Sequence, residues 1–254
     1  MFDKYIGIDY TGRNAPVSQL PALQVFAATP LETPRQIAVP SAAAQNWSRK
    51  ELAMWCTHEL MANVRSIVAI DHGFSFPIAY MRRNELKSWG DFLTHFRRLW
   101  QTDRDHMYVD FARKTKPPTG AAHELRLCEQ WTESAEGVFR FGEPTAFAHS
   151  THAGIVWLDV IRNHPGLRDK VHFWPFDGFD IPSNKSVVAE SYPALFHKRF
   201  EGAEPGRDEH DAYSVSMWLK QMDRRGALPQ YLNPPLTLPE RRIAEIEGWI
   251  LGVY

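Results

Sequence analysis

Cysteine is nearly absent: Cys56 and Cys128 are the two in 254 residues, and neither has a CxxC partner. That excludes a disulfide framework and a cysteine-rich zinc site, and it matches the usage of a reducing compartment. A basic excess is missing too. Lys and Arg total 29 against 30 Asp and Glu, a formal net charge of −1, so the chain lacks the overall positive charge of proteins that coat long duplex nucleic acid. Any contact with nucleic acid must rest on a local patch. No run approaches the ~18 apolar residues of a membrane span. The opening MFDKYIGIDYTG carries no basic region ahead of an apolar one, so no signal peptide is expected. The expected location is cytoplasmic, with no membrane partner. Gly-Gly pairs, glycine-rich loops, internal repeats and low-complexity segments are also lacking.

Apolar material is plentiful. Nine Trp, fifteen Phe and a hydrophobic content of 44% are enough for the core of one domain over residues 1–254, with room for an insertion. Tyr5 to Asp9 and Leu23 to Ala28 read as two strands of a hairpin, with Gln36 to Val39 as a short third. Ser48 and Glu51 have capping-box spacing ahead of a helix bearing Leu52, Trp55, Cys56 and Leu60. Ser66 to Asp71 and Ser186 to Glu190 are almost wholly apolar, as strands covered on both faces should be. Val171 to Phe176 is a further strand. Ile78 to about Lys116 is helical in pattern, and helices are also expected over Arg126–Ala135, Thr151–Asn163, Tyr192–Phe200 and Asp208–Met222. A last one follows the capping box of Thr237 and Glu240 and carries Ile243, Ile246, Ile250 and Val253. Early hairpins followed by strand–helix alternation predict an α/β fold, a mixed sheet with helices on both faces.

Three of the buried strands end on an acid: Asp9, Asp71 and Glu190. Asp208 and Asp211 share one face of a later helix, and that face also carries Val215, Leu219 and Met222, which turns Asp211 toward the core. Singly, each acid is explained as a cap or turn residue. Together they need a partner, because buried carboxylates are costly alone. Hard Mg²⁺ or Mn²⁺ prefers such oxygen ligands, and paired ions can drive phosphodiester hydrolysis.

The motifs GIDYTG, VAIDHGFSFP, VVAESYPALF and DEHDAYSVSMWL resemble those of the domain of unknown function 429, a group of predicted nucleases in the ribonuclease H-like superfamily. The resemblance implies a five-stranded mixed sheet flanked by helices, with a helical insertion at about residues 78–135. It also implies catalytic and metal-holding roles for Asp9, Asp71, Glu190 and Asp211, with Asp208 as a further metal position. The implied function is a divalent-metal-dependent phosphodiesterase, a nuclease. Two positions depart from the family pattern: His72-Gly73 after Asp71, and the bulky Tyr10 after Asp9. Two alternatives stay open, an ATP-dependent phosphotransferase of the same core fold and a non-catalytic nucleic-acid-binding module.

Residues 82–116 interleave Arg82, Arg97, Arg98 and other basic residues with Trp89, Phe92, Phe96 and Trp100. Such mixtures can follow a phosphate backbone and stack bases, but the aromatics recur at core-face spacing. The basic residues are the better candidates, so Arg97, Arg98 and, in the first turn, Arg13 are the expected substrate contacts. His149 and His152 are three apart with no third ligand, which favours surface or capping roles. His72 and His210 adjoin proposed acids and are read either as general acid–base or ligand-supporting groups or as solvated neighbours. Arg126 and Glu129 read as a surface ion pair.

Overall fold

The computed structural model describes residues 1–132, 135–142, 147–200 and 207–254. The apolar runs become β1 (Lys4–Asp9), β2 (Gln24–Ala28), β3 (Arg35–Gln36), β4 (Ser66–Ile70), β5 (Val171–Phe173) and β6 (Ser186–Glu190). They join into one six-stranded sheet in the order β3-β2-β1-β4-β6-β5. The pairings β1–β2 and β2–β3 are antiparallel, whereas β1–β4, β4–β6 and β6–β5 are parallel. The mixed sheet is as expected, with one strand more than the five implied by resemblance. The two edges are slight: β3 has two exposed residues and β5 three buried ones.

Helices cover both faces. On one side Ile6, Ile8, Val68, Ile70 and Val188 pack into a core with α1 (Arg49–Met61), α3 (Trp89–Trp100) and α6 (Phe147–Arg162). On the other, Tyr5, Ile67, Ala69, Val187 and Ala189 pack against α7 (Arg207–Arg224), α8 (Leu228–Tyr231) and the C-terminal tail. Strands buried on both faces show no polar alternation, which is why β1, β4 and β6 read as continuous apolar runs.

Both capping boxes form. Ser48 opens α1 and Thr237 opens α9 (Leu238–Glu247), each with its Glu at the third position bonding back. Gly248, at φ 83°, then ends α9, so Ile250 and Val253 lie in the tail rather than in a helix.

The expected long helical stretch is three short pieces: α2 (Ile78–Arg83), α3, and α4 (Val109–Arg113). Left-handed residues at Glu85 and Gln101 separate them. α5 is only Leu127–Gln130, and Tyr192–Phe200 forms two 3₁₀ turns, Pro193–Leu195 and His197–Arg199. Trp89, Phe92, Phe96 and Trp100 lie in the same core as the sheet, so the α2–α4 segment is part of the fold's packing. Among the described residues no helix is long and apolar enough to cross a membrane.

Candidate functional site

Strand register decides which acids meet. Ile8 pairs with Ile70, and Ile70 with Glu190. One step further the ladder continues, with the Asp71 amide donating to Ile8 O at 2.9 Å and the Ser191 amide to Ile70 O at 2.9 Å. Asp9, Asp71 and Ser191 therefore form a row across three adjacent strands. Side chains alternate between faces. Ile8, Ile70 and Glu190 project to the α6 side, and the row of Asp9, Asp71 and Ser191 projects to the α7 side.

Helix α7 lies against that row because β1 carries a glycine. A Cβ on Gly7 would stand 2.3 Å from Ala212 O and 2.7 Å from Ser216 N. The helix backbone thus rests on the strand backbone, and the Ser216 hydroxyl fixes it by donating to Tyr5 O at 2.9 Å. This close approach sets Asp211, next to Ala212, and Asp208, one turn earlier, near the end of β1.

The electrostatics follow. Burial pushes the Asp9 carboxyl well above its ordinary range, and the charges of Asp71, Asp208 and Asp211 push it the same way. Asp9 is also in hydrogen-bonding contact with the Asp71 carboxyl. Two carboxyls in such contact share a proton, since an ionised carboxylate only accepts. Ser191 is 1% exposed, and its hydroxyl has no hydrogen-bond partner among the described residues. A buried hydroxyl left unsatisfied costs about 1–3 kcal/mol. Among the described residues no three His, Cys, Asp or Glu side chains are gathered to hold a metal ion. The hard oxygen donors at this end of the sheet are the Asp9–Asp71 pair, the two α7 acids whose charges reach Asp9 and the orphaned Ser191 hydroxyl.

Glu190 is not in this group. The Arg126 guanidinium donates to both of its oxygens at 2.7 Å, and the Phe74 amide adds a bond at 3.0 Å. Arg126 also donates to Glu129 at 2.8 Å, and all three side chains are buried. The expected surface pair Arg126–Glu129 is thus an interior ion network, and the acid ending β6 is part of it. The acid comes one residue earlier in register on β6 than on β1 and β4, and that places it on the opposite face.

The basic candidates lie elsewhere. Arg97 donates to Asp103 at 2.8 and 3.0 Å and to Asp159 at 2.9 Å. It shares a groove of about 460 Å³ with Arg98, Arg104 and Asn163, and none of Asp9, Asp71, Asp208 and Asp211 lines it. Arg13 is exposed in the turn after β1, whose carbonyls at Thr11, Arg13 and Asn14 all accept from the buried Arg49.

The histidines also depart from expectation. His72 is fully buried against Tyr10 and Phe74, and burial lowers its pKa to about 4. His152 is enclosed by aromatic rings and held by burial at about 3. His149 is buried and contacts Asp110 at 3.0 Å. None of these three is a surface group. His210 keeps company with Ser214 on α7, Nε2 to Oγ 3.4 Å.

Compared with protein-family models, curated proteins and solved structures, the chain matches none.

Proposed function

We propose that the chain is a divalent-metal-dependent phosphodiester hydrolase acting on nucleic acid, with its centre at Asp9 and Asp71. The observation that carries this reading is the buried Asp9 carboxyl in hydrogen-bonding contact with Asp71, under the field of Asp208 and Asp211. Such a group is poorly stable with protons alone and well matched to Mg²⁺ or Mn²⁺. The arrangement agrees with the ribonuclease H-like resemblance in three respects: an acid ends the first strand of an early hairpin, a second follows β4, and a late helix brings acids over β1.

In this reading Asp9 and Asp71 hold the cation, and Asp211 and Asp208 complete its charge balance from α7. A divalent ion bound there supplies acidification of water and stabilisation of the leaving oxygen. Asp9 and Asp71 orient it, and burial by α7 keeps bulk water from competing. Arg13, in the turn beside Asp9, is the nearest of the basic candidates along the chain for a substrate phosphate. Arg97 and Arg98 would serve only a longer strand that reaches their groove.

The test is a thermal-shift series with cleavage of a labelled single-stranded oligonucleotide run in parallel. Wild type should gain several degrees in millimolar Mn²⁺ by mass action on the native state and cleave the oligonucleotide. Asp9→Asn should melt at or above wild type in EDTA, respond little to Mn²⁺ and lose cleavage. A wild type indifferent to Mn²⁺, with Asp9→Asn clearly destabilised in EDTA, would overturn the proposal and give Asp9 a structural role. Metal binding without cleavage would favour the non-catalytic module.

A further inference from the structure

Three strands contribute to the row at the end of the sheet, but only two of them contribute acids. The third position is Ser191. It follows β6 in the same ladder relation to Ile70 that Asp71 has to Ile8. Adjacent strands run about 4.8 Å apart, so Ser191 flanks Asp71 on the side away from Asp9. Its side chain is 1% exposed, and its Oγ has no partner among the described residues.

A serine hydroxyl rotates freely, can donate once and accepts on two lone pairs. The register puts Ser191 next to Asp71 in the row, yet its hydroxyl bonds to no group among the described residues. An unsatisfied oxygen next to the Asp71 position in the row is open to a bound cation or water. Hard divalent cations accept neutral hydroxyl oxygen alongside carboxylate, as the Mg²⁺-binding hydroxyl of P-loops does.

We propose that Ser191 Oγ is the β6 ligand of the divalent cation held by Asp9 and Asp71, taking the place that Glu190 would have filled had its register been one residue later. The inference rests on the metal-dependent reading above and specifies its ligand set. A neutral third ligand has a physical consequence. It adds an oxygen without a third negative charge on the strand row, where Asp9 already carries the field of three other acids.

The experiment measures Mn²⁺ affinity directly, by the loss of the free-ion electron paramagnetic resonance signal, and does not depend on activity. Ser191→Ala should keep or slightly raise the melting temperature in EDTA, since it deletes a hydroxyl that bonds nothing among the described residues, while Mn²⁺ affinity falls about tenfold. Ser191→Cys exchanges a hard ligand for a soft one. It should weaken Mn²⁺ and gain Cd²⁺ binding with a thiolate-to-cadmium ultraviolet band that wild type lacks. Unchanged Mn²⁺ affinity in Ser191→Ala, with no cadmium band in Ser191→Cys, overturns the serine while leaving the metal reading intact, provided Asp9→Asn abolishes binding. A wild type that binds no Mn²⁺ overturns both.

Discussion

His152 lies 4.3 Å from the centre of the Trp100 ring and 4.7 Å from that of Phe141, on a buried face of α6. Its Nδ1 contacts Ala148 O at 2.7 Å, which fits a neutral ring donating from that nitrogen, and Nε2 has no partner among the described residues. Protonation would place a charge among aromatic edges, so the folded pKa falls to about 3 from an ordinary 6.5. A depressed histidine gives stability that is present above about 6.5 and lost as pH falls toward the folded value, because the unfolded chain takes up the proton first. At about 1.4 kcal/mol per unit, lowering pH from 7 to 4.5 removes roughly 2–3 kcal/mol through His152. His72, held near 4, acts in the same direction. Asp9 acts in the opposite one. Its raised carboxyl weakens the apo fold at neutral pH, and the strain is relieved as pH falls through the folded pKa. His152→Phe should therefore lose about 2–3 kcal/mol less than wild type between pH 7 and 4.5 in urea unfolding. Equal losses would show that His152 is already charged or solvated in the fold.

At the scale of elements, the placement of α7 rests on one missing methyl group. Gly7→Ala would drive a Cβ into the backbone of Ala212 and Ser216, atoms that cannot rotate away. The expected result is about 1–3 kcal/mol of destabilisation from overpacking, with a reduced thermal response to Mn²⁺ as Asp208 and Asp211 shift. Gly90→Ala is the control: it sits in α3 with its nearest neighbour at 3.7 Å, and Ala there should stabilise by a few tenths to ~1 kcal/mol. Equal effects at both positions would mean that α7 does not depend on Gly7.

The strands β1, β4 and β6, both capping boxes and the inward turn of Asp211 were legible in residue order, because each has a local physical signature. The parity of the acids was not. A strand apolar on both faces gives no alternation, so nothing in SVVAE says that Glu190 faces away from Asp9 and Asp71. Ser191 was hidden for the same reason. The breaks at Glu85 and Gln101 escaped because left-handed conformations at such residues are set by packing rather than by a glycine or proline.

Across the whole molecule, the Arg126 network ties distant parts of the chain to the end of the sheet. Arg126 bonds both oxygens of Glu190 on β6 and Glu129 on α5, and also donates to Glu247 O at the end of α9, 3.3 Å. The Glu247 carboxylate accepts from the Leu127 amide at 2.7 Å and from that of Ile78. One buried guanidinium and three acids thus join the start of α2, α5, β6 and α9. A buried network of this kind is weak evidence for net stability, but removing one partner exposes the others to the full desolvation penalty. Arg126→Met should destabilise by about 3–5 kcal/mol, since Glu190 and Glu129 lose their shared guanidinium partner in the interior. Adding Glu190→Gln and Glu129→Gln to Arg126→Met should recover part of that loss, because neutral amides need less compensation. The single Glu190→Gln variant separates the two roles considered for this acid. If Glu190 serves the network on the α6 face, the variant loses stability in EDTA yet keeps wild-type Mn²⁺ affinity. If it serves the cation with Asp9 and Asp71, Mn²⁺ affinity falls at least tenfold, and the division of the sheet end into an ion network on one face and a cation site on the other would fail.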